Sequence, residues 1–378
     1  MNLFRFFIPS FKRIKWFNKR KKRSIFLPQG GYTSIVWDTK TAIEELLKIA
    51  KRNTQDYEIF LALGNLYRAQ GDIDKAVRLR YSLITKPHLD ELVKGKVFYE
   101  LGIDYKRGGL FDRAILFLER AKKLLGDDPA ILKELAELNA IIKDFEKSAY
   151  YSNILNDTVA YAHYLVEQSK LELERGNRDI SESLLKKAID VYPKSLEGWI
   201  ELVIRDYSSN AWDNLFVHLK KGLKRVPDDL RFVLMESIIQ HMLRRKKSEI
   251  FSPTIVKEGA ESIIRAVKKY DKEPVLLYYC AWFYLQIDKK EQALKCLRKS
   301  VTIDPKFWLA RLEIISLTCG RVQRGEDVEQ DIEILVNVGR NVKRFICNVC
   351  SFKTNNLFFI CPRCNSWHTI RFRRYISG

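Results

Sequence analysis

The sequence lacks any apolar run long enough to cross a membrane. A membrane-spanning helix needs about 20 predominantly apolar residues, whereas the longest uncharged apolar run extends only from Pro274 to Ile287. Proline and glycine are also scarce, at 10 and 17 of 378 residues, while 46% of the chain is hydrophobic. This composition argues against disorder over most of the length. We therefore expect a largely ordered protein without a membrane-spanning helix.

The N-terminus also lacks the apolar stretch of a secretory signal peptide, since basic residues and Pro9 interrupt the candidate segment. We therefore expect the seven cysteines to lie in a reducing compartment, where clustered cysteines more often hold a metal ion than form disulfides. Three of the cysteines, Cys280, Cys296 and Cys319, fall in the helical part of the chain. We interpret them as small apolar core residues.

Excess positive charge is concentrated at the two ends of the chain. Of the formal net charge of +20, nine charges lie in residues 1–23 and seven in residues 341–378, and neither segment contains an acidic residue. The residues between them carry 51 basic and 47 acidic side chains. Because this body is nearly neutral, it is not expected to form a basic nucleic-acid channel. The two ends are the parts expected to seek anions.

A repeat of 34 residues runs through the near-neutral body. Pro193 is followed 34 residues later by Pro227, and each proline comes shortly after a small helical residue, Ala188 or Gly222. Small residues let two antiparallel helices approach closely, and a closing proline ends the second helix. Trp199 opens the second of these units. The same spacing recurs at Phe60, Leu63, Gly64, Tyr67, Gly71 and Ala76; at Leu101, Gly102, Tyr105, Gly109, Ala114 and Ala121; and at Ala281, Tyr284, Ala293, Leu297 and Pro305.

The spacing resembles the tetratricopeptide repeat (TPR) and predicts an all-α fold, a superhelical solenoid of antiparallel helix pairs over residues 40–340. Residues 129–160 and 230–270 have helical periodicity but match the template poorly, so we predict degenerate repeats there. The alternative is an unrelated helical bundle in which these residues recur by chance. Such an array usually holds a peptide or a protein surface in its groove.

The array shows no catalytic signature. His88, His163, His218 and His241 are scattered, and neither they nor the fifth histidine, in the C-terminal segment, form a recognisable nucleophile or metal motif. Glycine-rich phosphate-binding motifs are missing from the sequence as well. We interpret the histidines as surface or hydrogen-bonded core residues. The chain is therefore predicted to be a binding protein and not an enzyme.

The strongest chemical signal is a pair of CxxC turns near the C-terminus. Cys347 and Cys350 form the first turn, and Cys361 and Cys364 form the second, ten residues later. Two such turns can supply four thiolates in a tetrahedron around one ion, as in zinc ribbons and rubredoxins. These four cysteines are the predicted metal ligands.

The residues around the two turns predict a small domain, residues 341–378, stapled by the ion. Thr354–Asn356 followed by Leu357–Ile360 indicates a hairpin that returns to the second turn. Asn365 suits the left-handed backbone that such turns often adopt, whereas Ser351 suits it less well. A segment below about 40 residues rarely folds without a staple. Zinc and iron both suit four thiolates, and a structural role favours zinc.

The order of repeats and knuckles resembles the lipopolysaccharide assembly protein B family, bacterial inner-membrane proteins with TPR repeats and a rubredoxin-type C-terminus. The resemblance rests on Leu63–Arg68, Gly109–Ala114, Cys347–Phe352 and Cys361–Ile370, which includes Trp367, and it covers most of residues 40–372. It implies a cytoplasm-facing adaptor that regulates lipopolysaccharide synthesis by helping a membrane-bound AAA protease degrade the deacetylase of the lipid A pathway. It also implies that the four cysteines bind the metal and that the metal domain packs against the repeats.

The N-terminal segment, residues 1–39, departs from the family, whose members begin with a transmembrane helix. Here aromatic and apolar residues alternate with basic ones, a pattern that suits a helix lying in the headgroup region of an anionic membrane. The residues that carry the pattern are Phe4, Phe7, Phe11, Ile14 and Trp16. We expect peripheral attachment to the cytoplasmic side of the inner membrane; the alternative is a solvated tail.

Two other functions are compatible with the C-terminal segment. A zinc ribbon with basic and aromatic flanks can grip phosphates and stack bases, although the near-neutral body argues against this and no specific nucleic acid is expected. The residues concerned are Arg363, Arg371, Phe372, Arg373, Arg374 and Tyr375. A rubredoxin-like iron centre would instead transfer electrons.

Overall fold

The computed structural model describes residues 39–52, 56–87, 89–245, 253–318 and 344–372. Within these ranges the chain forms sixteen α-helices, one short 3-10 helix at Asp228–Leu230, and three short strands. The helices are α1 Thr39–Arg52, α2 Tyr57–Gln70, α3 Ile73–Ile84, α4 Glu91–Arg107, α5 Phe111–Leu125, α6 Pro129–Ile141, α7 Phe145–Ile154, α8 Thr158–Glu174, α9 Arg178–Val191, α10 Leu196–Ser208, α11 Trp212–Arg225, α12 Arg231–Arg245, α13 Pro253–Val267, α14 Pro274–Gln286, α15 Lys290–Ile303 and α16 Trp308–Thr318. The strands are β1 Phe345–Cys347, β2 Lys353–Thr354 and β3 Ile370–Phe372.

Aspartate side chains begin many of the helices. In each case the carboxylate accepts a hydrogen bond from a backbone N–H group of the first turn, which would otherwise have no partner. The aspartates are Asp56, Asp72, Asp90, Asp128, Asp144 and Asp157. Each cap stabilises its helix by about 1 kcal/mol, so the sequence sets the helix starts locally, before tertiary packing contributes.

The helices pack as the TPR pattern predicts. Neighbouring helices form hairpins, such as α4 with α5, α8 with α9 and α14 with α15. The small residues of the template lie at the closest approaches: Ala114, Ala188 and Ala293 are fully buried. A Cβ atom added to Gly102 would lie 2.6 Å from the side chain of Leu118. The prediction of an all-α TPR array is therefore confirmed.

The two segments that fit the template poorly behave differently. Helices α6 and α7, from residues 129–160, pack together as an ordinary pair. Helix α13, from residues 230–270, packs mainly against α11 and α14 instead of its predecessor α12. Gly259 permits this placement because a Cβ atom there would lie 2.8 Å from the ring of Tyr207. The second segment is thus a distorted repeat.

First helices of successive repeats contact each other directly, and those from α8 to α14 form a row. Contacts join α2 to α4, α8 to α10, α10 to α12 and α12 to α14. The small sheet lies beside this row, since β3 contacts the 3-10 helix that precedes α12. The predicted boundaries at residues 39/40 and 340/341 stay predictions, because residues 1–38 and 319–343 lie outside the described ranges.

Candidate metal centre and its docking surface

The four predicted ligands come together in one cluster. The sulfur atoms of Cys347, Cys350, Cys361 and Cys364 all lie within 4.8 Å of one another. The Cys347–Cys364 sulfurs are 3.7 Å apart and the Cys350–Cys361 sulfurs 3.6 Å apart. A tetrahedron with zinc–sulfur bonds of about 2.3 Å has edges of about 3.8 Å. The cluster therefore has the size and donor set to hold one metal ion.

The two CxxC turns are built in the same way. Ser351 N–H donates to the Cys347 carbonyl at 2.9 Å, and Asn365 N–H donates to the Cys361 carbonyl at 2.8 Å. Both Ser351 and Asn365 adopt a left-handed backbone, with φ of 57° and 54°. Ser351 thus takes the conformation for which it seemed the poorer choice, because the turn geometry outweighs the preference of one residue.

The predicted hairpin lies in a different place. The three strands form an antiparallel sheet in the order β2–β1–β3, so Lys353–Thr354 turns back along β1, before the segment Leu357–Ile360. Ile360 makes only an isolated bridge with Trp367. The hairpin predicted from Thr354–Asn356 followed by Leu357–Ile360 is therefore replaced by a hairpin of β1 and β2, after which Leu357–Ile360 leads to the second turn. The first CxxC turn connects β1 to β2, and the second lies between the bridged residues Ile360 and Trp367. This arrangement brings the two turns together.

The electrostatics of the cluster favour a bound cation. Burial acts to raise the pKa of Cys347, but hydrogen bonds from the Thr369 hydroxyl and from backbone N–H groups lower it to about 6. The Ser366 hydroxyl and amide lower the pKa of Cys364. Burial raises the pKa of Cys350 to about 12. Four adjacent thiols cannot all ionise alone, whereas a divalent ion would offset two of the four charges and bond directly to all four sulfurs.

The strands and turns of residues 344–372, here called the knuckle domain, dock on the row of first helices. Trp367 packs edge-to-face against His163 and Tyr164 of α8, with ring centroids 4.7 and 5.8 Å away. On α12, Phe232 lies 4.5 Å from the ring of Phe372 and stacks on Phe345 at 6.4 Å. These aromatic contacts extend the hydrophobic core of the repeats into the sheet.

A buried carboxylate fastens the domain at α10. Glu197 is 1% exposed, and His163 Nδ1 lies 2.8 Å from its carboxylate. His368 Nε2 lies 3.5 Å from the other carboxylate oxygen, a distance at which the attraction is mainly electrostatic. Burial acts to raise the pKa of Glu197, but the two imidazoles hold it at about 2. Glu197 therefore joins a repeat histidine to a knuckle-domain histidine.

Two arginine contacts flank the aromatic junction. Arg344 pairs with Glu236 of α12 at 2.8 Å and donates to the Tyr279 hydroxyl of α14 at 3.2 Å. Arg371 pairs more loosely with Asp229 at 3.3 Å. The contacts of the knuckle domain thus span α8, α10, α12 and α14.

Two of the residues considered above for a nucleic-acid surface instead contact the repeats. Arg371 and Phe372, candidates for a nucleic-acid surface, contact the repeats. Arg363 is exposed, and Arg373, Arg374 and Tyr375 lie outside the described residues. Among the histidines, His218 contacts Asp206 at 2.7 Å and His241 contacts Ser208 at 2.9 Å, while His88 is not described.

Sequence reasoning missed Glu197, His163, Phe232 and Glu236 as docking residues. Nothing in their local pattern distinguishes them from ordinary helix residues. The packing of the domain against the repeats was implied only by the family resemblance, to which Trp367, three residues after Cys364, contributed.

Replacing Glu197 with glutamine should loosen the junction without disturbing the helices. Glutamine carries no charge to attract His368, so amide exchange in residues 366–372 should become about 30-fold faster if about 2 kcal/mol is lost. Hydrogen-exchange mass spectrometry would measure this. Glu201→Gln, one turn further on α10 and 3.7 Å from Lys170, is the matched control. Equal exchange in both variants would contradict the role of Glu197.

A helical array of this repeat type with a four-cysteine domain docked on its first helices defines the chain as a TPR protein with a C-terminal knuckle domain. The tetratricopeptide repeat family matches residues 280–307. Lipopolysaccharide assembly protein B of Escherichia coli strain K12 is 22% identical over 351 residues, with 89% of this chain and 86% of the relative covered.

A second relative has the same name. Lipopolysaccharide assembly protein B of Haemophilus influenzae is 23% identical over 333 residues, with 83% of this chain and 79% of the relative covered. Among solved structures, a TPR protein from Parabacteroides merdae aligns with a TM-score of 0.35 at 17% identity, covering 69% of this chain and 98% of that one. The chain is thus similar over most of its length to two proteins named lipopolysaccharide assembly protein B.

Proposed function

We propose that the chain is a non-enzymatic adaptor that regulates lipopolysaccharide assembly through protein–protein contacts. The main support is the docked arrangement, in which the repeats and the knuckle domain together line one cleft of about 540 Å³. Ile204, Gln240 and His241 line it from α10 and α12, and Asn356 and Phe359 line it from the knuckle domain. Apolar side chains beside amides suit an extended peptide segment.

The client and the protease are the finer part of this proposal. Like the family that it resembles, the chain would bring the deacetylase of the lipid A pathway to a membrane AAA protease and so shorten the lifetime of the deacetylase. A solenoid supports such a role because its repeats offer one long surface to two partners. Both relatives align over most of this chain, 89% and 83% of its length.

We further propose that Cys347, Cys350, Cys361 and Cys364 hold one zinc ion in a structural role. Support comes from the sulfur spacing and from the set of four cysteine ligands, which is typical of structural zinc sites. When bound, the ion would offset two of the four thiolate charges and tie the two turns together. The chain itself places the Thr369 hydroxyl 3.2 Å from the Cys347 sulfur and the Ser366 hydroxyl 3.4 Å from the Cys364 sulfur, and these contacts favour the thiolate forms.

Residues 1–39 are proposed to attach the protein to the cytoplasmic face of the inner membrane. Among the described residues, no helix has the length and apolarity to span a bilayer, and the basic aromatic segment itself lies outside them. The full chain should float with vesicles containing anionic phosphatidylglycerol and remain unbound with neutral phosphatidylcholine vesicles. Deletion of residues 1–38 should abolish flotation; undiminished binding would contradict this role.

The proposed function is tested in the native host. Depleting the protein and then stopping translation should lengthen the half-life of the lipid A deacetylase several-fold, followed by immunoblot. The half-life of an unrelated substrate of the same protease is the control. An unchanged deacetylase half-life would contradict the adaptor role for this client.

A further inference from the structure

A second cysteine pair lies apart from the knuckle domain, between α13, α14 and α15. Cys280 of α14 and Cys296 of α15 both line an open cavity of about 470 Å³. Cys280 is 6% exposed, and Cys296 is partly exposed. The open cavity is therefore lined by one buried thiol, Cys280, and one more accessible thiol, Cys296.

The repeat register explains why the cavity exists. Cys280 precedes the small residue Ala281, a position that holds Leu63 and Leu101 in two other repeats. Cys296 precedes Leu297, and the equivalent residue in the second of those repeats is Phe117. Both leucines and the phenylalanine are buried there. Two thiols in place of larger side chains leave the space between the helices underfilled.

The two thiols lie on adjacent helices of one hairpin, line the same cavity and differ in character. The interaction with Cys280, with help from Lys299 and Lys295, lowers the pKa of Cys296. The interaction with Cys296, together with burial, raises the pKa of Cys280. The pair thus combines an accessible thiol that ionises more readily than a free cysteine with a neighbouring buried thiol, the combination typical of redox-sensitive cysteines.

The charges around the cavity favour a thiolate at its mouth. Basic side chains on the cavity wall are Arg265, Lys268, Lys289, Lys295 and Lys299, and the acidic ones are Glu261 and Asp271. Asp271 pairs with Lys299 at 2.6 Å and Glu261 pairs with Lys289 at 3.6 Å. The basic groups outnumber the acidic ones by five to two, and Tyr284 is the other titratable group on the wall.

We propose that Cys280 and Cys296 form a peroxide-sensitive dithiol, with Cys296 as the attacking sulfur and Cys280 as the resolving one. The Cys296 thiolate attacks one oxygen of hydrogen peroxide; the O–O bond breaks, and hydroxide leaves as water after taking a proton. The Cys280 sulfur then attacks the Cys296 sulfenic acid, and the second hydroxide leaves as water with the Cys280 proton. The peroxide accepts two electrons and the thiols become one disulfide, which ties α14 to α15.

Peptide mapping of the full metal-loaded chain tests this site. After treatment with hydrogen peroxide, alkylation and tryptic digestion without reductant, the peptide 273–289 should be found joined to a peptide containing Cys296. The joined peptide should form at least about tenfold faster than Cys319 is oxidised. Metal content should stay constant during this interval, which separates the reaction from damage to the four-cysteine cluster.

Single variants separate the two roles. Cys280→Ser should leave a sulfenic acid on Cys296 that dimedone traps, and Cys296→Ser should leave Cys280 unoxidised. Cys319→Ser is the control and should react like the natural chain. Complete alkylation of Cys296 after peroxide, or disulfides that involve only other cysteines, would overturn the proposal; the mapping of the natural chain decides this even if a variant fails to fold.

Discussion

Cys361→Ser should abolish metal binding and unfold the knuckle domain. Cys361 is fully buried, and its loss leaves three sulfurs around the ion. Structural zinc contributes about 10–16 kcal/mol to small domains of this kind, far more than a sheet of three short strands could replace. Metal analysis of the purified protein should fall from one zinc per chain to nearly none, and amides of residues 345–372 should exchange rapidly.

The repeats should survive this change because their core is built independently. The α-helical circular dichroism signal should therefore fall little, and the junction residues Trp367 and His368 should leave α8 and α10. Cys319→Ser, which removes a cysteine outside the ligand set, should keep the metal. A Cys361→Ser protein that retains one tightly bound ion and a protected sheet would contradict the assignment of the ligands.

Asp104→Ala should produce the largest loss of stability in the repeats. The side chains of Asp104 and Arg80 are both fully buried, and Arg80 Nε lies 2.6 Å from the carboxylate. Arg68 binds the other carboxylate oxygen at 2.8 Å. Removing the carboxylate leaves a buried guanidinium without its main partner, which costs about 3–5 kcal/mol. Urea unfolding monitored by circular dichroism would measure the loss in the N-terminal repeats.

The pair itself is expected to contribute much less than this loss suggests. Burial raises the pKa of Asp104 in spite of both arginines, which shows how costly the desolvation of its charged form is. Replacing both residues, as Arg80→Leu with Asp104→Leu, should therefore be nearly neutral. Unfolding of the Asp104→Ala variant at the same urea concentration as the natural chain would contradict the stabilising role of the buried carboxylate.

The fold was predictable where the sequence repeats itself. The positions of Ala114, Ala188 and Gly222 are local signals, because close helix approach excludes larger side chains at those points. The distorted repeat at α12 and α13 was flagged by its poor match to the template. Its actual packing was not predictable, since α13 lies against α11 and α14 through contacts distant in sequence.

Of the candidate site, only the four cysteines could be predicted from the sequence. Metal-ligand spacing is local, so the four cysteines could be identified from residues 347–364 alone. The position of the hairpin was wrong because strand pairing depends on the partner strands, and β1 and β3 are separated by the whole cluster. The docking surface could not be predicted, since Glu197 and His368 meet only when the repeats and the knuckle domain are both folded.

The docked arrangement is the central element of the proposed adaptor function, and one measurement tests it most directly. In the native host, the half-life of the lipid A deacetylase would be compared in cells that express only Glu197→Gln or only Glu201→Gln. The first variant should lengthen the half-life toward that of depleted cells, and the second should leave it unchanged. Equal half-lives, with exchange data showing that the Glu197→Gln domain has indeed loosened, would contradict the account.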